Sequence, residues 1–353
     1  MVIDETKLHE FIGKAVAEWG GAYGVLLNFV GDKLGLFKAM TGAGALTPEE
    51  LARKTGTHPR MIKEWLAAQT AGGFVIFNSN AGTYTLPEEQ ALALTDENSP
   101  VYIAGEYQVL MGLFKDEEKI IEAFRTGKGL GWADHHHYLF EGTERFFKPS
   151  YITNLTPSWI PALEDVEEKL RRREGTKVAD VGCGHGVSTI LMAKAYPNSQ
   201  FIGFDYHRPS IEWARKQAEK EGLKNIAFEV GGATDYPGED YDLVTFFDCL
   251  HDMGDPDGAA KHVLQTLKKK NGTWMLVEPF ANDKLEDNIN PIGRAFYSAS
   301  TLICVPASLN ENGPALGAQA GEERIKEVVT SAGFSKFRRA TETPFNIIFE
   351  ARP

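Results

Sequence analysis

Three glycines one residue apart, in 178-VADVGCGHGVST-189, stand between an apolar run and the start of a helical pattern. Glycine at that spacing lets the backbone turn tightly and approach a ligand with no Cβ in the way. Asp180 precedes the loop, and Asp205 ends the next apolar run, 200-QFIGFD-205. A carboxylate placed there can accept from both hydroxyls of a ribose. The loop reads G-x-G-x-G, with Val187 where a dinucleotide loop has its third glycine, and it lacks a Walker lysine. A close-approach loop without a phosphate signature, next to a ribose-type carboxylate, calls for an adenosine-bearing cofactor without phosphates. An NAD-linked dehydrogenase is disfavoured on the same ground.

Two further residues could move a proton. His251, in 249-CLHDMGDP-256, and Glu278, in 273-TWMLVE-278, each follow or end an apolar run. A carboxylate beside an imidazole fixes its tautomer and supports the cation formed on proton uptake. The triplet His135, His136 and His137 invites a metal, since imidazole suits zinc, copper or iron. Adjacent histidines do not converge easily on one ion, and no Cys or Asp/Glu cluster completes a site, so no metal is expected. One or two of these rings are expected to face a pocket beside Trp132 and Tyr138, the others to be solvated. Cys183, Cys249 and Cys304 are too few and too scattered for a disulfide framework or a zinc site.

The elements that must position these residues alternate in the second half. Apolar runs at 177–181, 200–205, 226–230, 242–247 and 273–278 are separated by amphipathic stretches such as 208–222 and 256–272, with two later strands near 334–340 and 345–353. Such alternation predicts an α/β fold, a mostly parallel seven-stranded sheet with helices on both faces and an antiparallel strand at its edge. The first half differs. Residues 5–40 read as helical, Thr47, Pro48 and Glu50 form a capping-box pattern, Gly56 and the Gly72–Gly73 pair punctuate two helices, and 74–86 reads as a hairpin. Two helices and a hairpin in this order predict a winged helix-turn-helix. The expected organisation is a dimerisation and winged-helix domain over 1–98, a helical linker contributing to the substrate pocket over 99–159, and a cofactor-binding domain over 160–353.

Composition narrows the partners. A net charge of −12 opposes nucleic acid and anionic membranes, and no apolar run is long enough to span a bilayer. Segment 47–86 sets four basic side chains, Arg53, Lys54, Arg60 and Lys63, against Glu49, Glu50 and Glu64. DNA-reading domains are more basic. The acidic N-terminus without a signal-peptide core predicts a cytoplasmic address, and the apolar N-terminal helices predict a homodimer.

The motifs VADVGCGHG, FIGFD, YDLVTFFDCLHDMGDP and LVEPF, in that order over 160–353, resemble those of class I S-adenosylmethionine-dependent methyltransferases. The N-terminal half is similar to the winged-helix domain of small-molecule methyltransferases. The resemblance implies S-adenosylmethionine as cofactor and S-adenosylhomocysteine as product. It implies that Asp180 and the backbone of Gly182, Cys183, Gly184 and Gly186 hold the methionine part, that Asp205 binds the ribose, and that Tyr206 flanks the adenine, with Phe247 and Asp248 also against the cofactor. Where many members have an acidic residue for the adenine amino group, this chain has Gly232. The backbone of Ala233, Thr234 or a displaced Asp235 are the alternatives. Plant-type O-methyltransferases have a similar L-H-D-W segment, which implies that His251 is the base and Glu278 its holder. The segment 279–320 is too long for a bare connection and mixes Asn290, Arg294, Phe296, Tyr297 and Ser298, which suits a cap over a flat, partly polar acceptor. Tyr138, Arg294 and Tyr297 are the acceptor-side candidates. The expected activity is methylation of a small-molecule hydroxyl. The alternatives are methyl transfer by proximity alone to an N, S or C acceptor, and a winged-helix regulator that senses the cofactor.

Overall fold

The structure, a computed structural model, describes residues 3–172 and 175–353. The chain divides into two units, Met1–Phe114 with His137–Pro149, and Lys115–His136 with Ser150–Pro353. The segment 99–159 is thus shared between both units.

In the first unit, helix α1 (Glu5–Lys33) opens at Asp4, whose side chain accepts from the amides of Thr6 and Lys7. Continuous helix to residue 40 is not what forms. Gly35 adopts φ +66°, which glycine takes without Cβ strain, and the chain restarts as α2 (Leu36–Met40). The Thr47–Glu50 capping box opens α3 (Pro48–Thr55), Gly56 closes it, and α4 (Pro59–Ala71) ends at Gly72. A hairpin of β1 (Ile76–Asn78) and β2 (Thr83–Thr85) follows, with Asn78 accepting from the turn amides of Asn80 and Ala81. Helices α5 (Glu88–Thr95) and α6 (Ala104–Lys115) come next. The winged-helix core gathers Phe37, Leu51, Ile62, Trp65, Leu66 and Leu86. Trp65 Nε1 donates to the Leu27 carbonyl at 2.9 Å, tying the end of α1 to that core. The earlier turns of α1 have no such cover: Phe11, Val16, Trp19 and Tyr23 are all more than half exposed.

In the second unit, α7 (Glu117–Thr126), the last turns of α8 (Tyr138–Asn154) and α9 (Val166–Arg172) accompany a seven-stranded sheet. Its strands are β3 (Thr176–Val181), β4 (Ser199–Asp205), β5 (Ile226–Val230), β6 (Leu243–Phe247), β7 (Thr273–Pro279), β8 (Lys336–Glu342) and β9 (Asn346–Arg352). Their order is β5-β4-β3-β6-β7-β9-β8. The chain steps outward from β3 to β5, then returns to lay β6 beside β3. That reversal opens a crevice beyond the carboxyl ends of β3 and β6, where open α/β sheets take their ligands. Crossovers are made by α10 (Val187–Ala195), α11 (Arg208–Lys220) and α12 (Pro256–Thr266). Helices α13 (Pro291–Ala299), α14 (Val305–Asn310) and α15 (Gly321–Ser331) lie between β7 and β8.

The antiparallel strand is not at the edge, as expected, but one place in. β9 runs antiparallel to both β7 and β8. Burial explains the exchange. Six of the seven residues of β9 (NIIFEAR) are buried, so it needs neighbours on both sides, whereas β8 (KFRRATE) carries exposed charges suited to an unpaired rim.

The sheet core packs Phe246 against Trp274 at 5.1 Å between ring centroids, with Phe334 and Phe349 beside them. Phe246→Ala should destabilise the protein by about 3–5 kcal/mol, read as a lower urea midpoint. An unchanged midpoint would mean that this cluster does not hold the sheet.

Candidate active site

The glycine loop is shaped by hydrogen bonds from its own amides. Gly182 and Cys183 both donate to the Phe204 carbonyl, at 2.8 and 3.0 Å, and Gly186 donates to that of Cys183 at 2.8 Å. All three glycines have positive φ, +72°, +51° and +80° in order, but only one leaves room above it. A Cβ on Gly182 would lie 2.9 Å from Cys249 Sγ, and one on Gly186 would lie 2.6 Å from the Phe228 ring. A Cβ on Gly184 would meet nothing within 4 Å. Gly182 and Gly186 are therefore small for packing, and Gly184 is the bare surface. Cys183 turns its side chain into the core with Ile190, Ile211 and Phe228, leaving only its backbone to the loop.

The two aspartates differ in role. Asp180, expected against the methionine part, lies behind the loop and is wholly buried. Ser188 and Thr189 of α10 donate to its Oδ2 at 2.7 and 2.6 Å, and Thr245 of β6 donates to Oδ1 at 3.0 Å. Burial pushes its carboxyl up to about 6 against the pull of those hydroxyls. Asp205 lies in front. Its Oδ2 accepts from the Gly184 amide at 2.9 Å and its Oδ1 from the His207 amide at 2.8 Å, and burial raises its pKa. Tyr206, half exposed, follows it. After β5, Asp235 folds back so that Oδ1 accepts from the Gly232 amide at 2.9 Å. A Cβ on Gly232 would come within 2.9 Å of that same oxygen, so Asp235 lies over the bare position 232. Ala233 packs on the sheet core and Thr234 is exposed.

His251 and Glu278 are brought together as expected. A 3₁₀ turn, Leu250–Asp252, follows β6 and sets His251 Nδ1 2.6 Å from Glu278 Oε2, both side chains almost fully buried. The Leu250 amide donates to Glu278 Oε1 at 3.2 Å and holds the carboxylate. The thiol of Cys304 is the second partner of the imidazole. Burial works against its charge, but Glu278 and Cys304 together hold the imidazole pKa well above the usual histidine range. Burial also pushes Asp252 up to about 7 and raises Asp248 well above the usual carboxylate range, with Glu278 adding to both.

Asp248 has φ +50°, donates its amide to the Val277 carbonyl, and accepts from Asn346 Nδ2 at 2.7 Å through Oδ1. Its Oδ2 is buried without a hydrogen-bond partner. Phe247 packs on Tyr151, ring centroids 5.3 Å apart, and the Tyr151 hydroxyl lies within the field of Asp248 and Asp180. Of the acceptor-side candidates, Arg294 is exposed and Tyr297 half-buried on α13, which Asn290 caps by accepting from the Gly293 amide. Tyr138 belongs to the other unit, its ring 5.3 Å from that of Phe29 and 5.4 Å from Lys33 Nζ. Among the described residues, no three His, Cys, Asp or Glu side chains converge as metal ligands.

Sequence reasoning missed Tyr151, Asp252, Cys304 and Asn346. Ser188 and Thr189 stand directly after the loop and could have been read as partners for Asp180. Cys304 and Asn346 lie far along the chain from the residues they meet, and no local pattern announces them.

A methyltransferase-domain profile matches residues 172–331, and a winged helix-turn-helix profile of the Rv2258c-like type matches residues 21–96. Residues 172–331 carry a methyltransferase domain. The human N-acetylserotonin methyltransferase, solved in complex with S-adenosylmethionine, superposes with a TM-score of 0.69 at 17% identity, covering 100% of this chain and 99% of that one. An O-methyltransferase family protein from Burkholderia thailandensis superposes at 0.70 with 17% identity over 100% and 99% of the two chains. At that identity the likeness is one of fold. A ubiquinone biosynthesis O-methyltransferase of Actinobacillus pleuropneumoniae is 33% identical over 116 residues, 31% of this chain and 47% of that protein. The chain spans between 11% and 64% of the length of such curated relatives.

The residues present suit S-adenosylmethionine, the ligand held in the human structure. Gly184 offers uncovered backbone, and Asp205 beside it offers carboxylate oxygens able to accept from ribose hydroxyls. The charged groups that act most strongly on Asp248 and Asp252 are carboxylates and His251, and an acidic floor suits a cationic sulfonium ligand.

The glycines should therefore separate by substitution. Gly184→Ala should fold at a cost of about 1–2 kcal/mol of left-handed strain, and should bind S-adenosylhomocysteine roughly tenfold more weakly because a methyl enters the cradle. Gly186→Ala should lower the thermal midpoint much more, through collision with Phe228. Equal effects in calorimetry and thermal melts would contradict this division.

Proposed function

We propose that the protein methylates a hydroxyl of a small molecule, with His251 taking the hydroxyl proton and Glu278 holding the imidazole. The carrying observation is the 2.6 Å His251–Glu278 contact at the carboxyl ends of β6 and β7, in the same crevice as the Gly184 cradle. The bound cofactor supplies an activated methyl group on a positive sulfur. The protein's task is then to hold the acceptor in line and to remove its proton, and positioning alone supplies much of the rate. Asp205 would take the ribose hydroxyls, Tyr206 would flank the adenine, and Asp235, held over Gly232, would meet its amino group. Asp248 and Phe247 would line the methionine end. Arg294 and Tyr297 would face the acceptor from the cap.

The pH dependence follows from the environment of His251. Only neutral imidazole accepts a proton, and Glu278 and Cys304 raise its pKa. Turnover should therefore climb with pH through a limb above the ordinary histidine value. Cys304→Ala removes one raising group and should move that limb to lower pH. His251→Ala should abolish transfer from radiolabelled S-adenosylmethionine to a panel of phenols, alcohols and amines, while S-adenosylhomocysteine, not NAD, still raises its melting temperature. Turnover of wild-type size in that variant would mean that the ring only packs.

We further infer that the protein is a homodimer formed through α1. An apolar helix face of Phe11, Val16, Trp19 and Tyr23 left this exposed favours association with a second copy. Phe11→Glu with Trp19→Glu should yield monomers in sedimentation velocity, and a variant that stays dimeric would place the interface elsewhere.

A further inference from the structure

Beyond the end of β7, the second unit holds a pocket of about 510 Å³ that methyl transfer at His251 does not use. Its walls come from residues 280–293, from Gln319, and from the end of β8 with the turn after it, 342–344. Gly184, Asp205, His251 and Glu278 are not among its lining residues.

The walls are fastened to one another. Asn288 is buried and closes the loop after β7: its Oδ1 accepts from the Asn282 amide at 2.9 Å, and its Nδ2 donates to the carbonyls of Asn282 and Lys284 at 2.8 and 3.1 Å. Gly293 lets α13 press on that loop, since a Cβ there would fall 1.8 Å from the Asn288 carbonyl oxygen. Thr343 Oγ1 accepts from the amides of Phe345 and Asn346 at 3.2 and 2.9 Å and fixes the turn between β8 and β9. Phe280 joins the three stretches. Its amide donates to the Phe345 carbonyl at 2.8 Å, and its carbonyl accepts from Gln319 Nε2 at 3.1 Å. Small-molecule sites are preformed hollows of about 300–1,000 Å³, and a hollow whose walls are already joined needs little ordering when a ligand enters.

The lining fixes the kind of ligand. Phe280, Ile292 and Pro344 offer apolar surface, and Asn282, Asn290 and Gln319 bring side-chain amides, a group that both donates and accepts. Among the described lining residues only Glu342 is ionisable, and Arg339 Nη1 already lies 2.6 Å from its Oε2. A charged ligand would give up its water here and find no counter-charge to spare. We propose that this pocket binds an uncharged, partly apolar small molecule that carries amide or hydroxyl groups, at a site separate from the reacting atoms. The site depends on the second unit alone and not on which group is methylated. It is nonetheless tied to the crevice, because Gly317, just before Gln319, donates its amide to the His251 carbonyl at 3.0 Å.

The test titrates the full chain, its isoleucine δ1 methyls labelled with carbon-13, with 1-naphthamide, 1-naphthoate, 1-naphthylmethylamine and naphthalene, with and without saturating S-adenosylhomocysteine. The neutral amide should bind about fivefold to tenfold more tightly than each of the others, the worth of one hydrogen bond made with no charge buried. It should shift the Ile292 methyl resonance and leave that of buried Ile211 in place, whether or not S-adenosylhomocysteine is present. Ile292→Trp fills the pocket from an exposed position. It should abolish that binding with the melting temperature and the affinity for S-adenosylhomocysteine unchanged. The proposal is overturned if the amide does not outbind all three, if the Ile292 resonance stays in place when it binds, or if S-adenosylhomocysteine displaces it. It is overturned as well if binding survives in a folded Ile292→Trp. Should that variant melt early, the resonance shift in the unaltered protein decides alone. Failure of S-adenosylhomocysteine to bind would remove the methyl-transfer reading and leave this one to be decided by the Ile292 shift.

Discussion

Asp180 stands where water cannot reach it, and the form of the crevice follows from how the chain meets that condition. A buried carboxylate is costly unless hydrogen-bonded. Three hydroxyls from two elements converge on it, Ser188 and Thr189 from the helix after the loop and Thr245 from the neighbouring strand. That convergence pins the start of α10 to the ends of β3 and β6. The glycine loop between them then has one path to follow, and Asp205 completes it by accepting from the Gly184 amide. Every contact proposed for the cofactor depends on a loop held from behind by one aspartate and from the front by another.

The electrostatics have the same economy. Asp248, Asp252 and Glu278 crowd around His251, and burial raises the first two. Such a group of acids is unfavourable by itself and becomes favourable beside a cation. The imidazole is one cation it stabilises, and a sulfonium ligand would be another. The left-handed backbone of Asp248, with one oxygen bonded to Asn346 and the other unmet, shows that the fold tolerates local strain at the end of β6. Cys304, from the segment between β7 and α14, adds to Glu278 in holding the imidazole charged.

Much of this was legible in residue order. The capping box at Thr47–Glu50, the strand–helix rhythm, the glycine loop and the pairing of His251 with Glu278 rest on neighbours in sequence or on successive strands, where period and spacing constrain the outcome. What was misread involved competition between distant parts. β9 took the interior place because its residues are buried on both faces, which a reading of strand order alone does not weigh. α1 stopped short of residue 40 because Gly35 adopts a left-handed conformation inside an otherwise helical pattern.

The sequence by itself determined the fold class, the position of the glycine loop and the pairing of His251 with Glu278, because these follow from local periodicity and from side-chain chemistry. Only the tertiary structure decided which glycine is bare, since Gly182, Gly184 and Gly186 have the same local chemistry and differ in what Cys249 and Phe228 place above them. It likewise put Asp180 behind the loop, seated Cys304 on His251, and turned His135, one histidine of three, toward Asp116. Each of those outcomes is a contact between residues far apart in the chain, and such contacts are settled by packing rather than by sequence spacing.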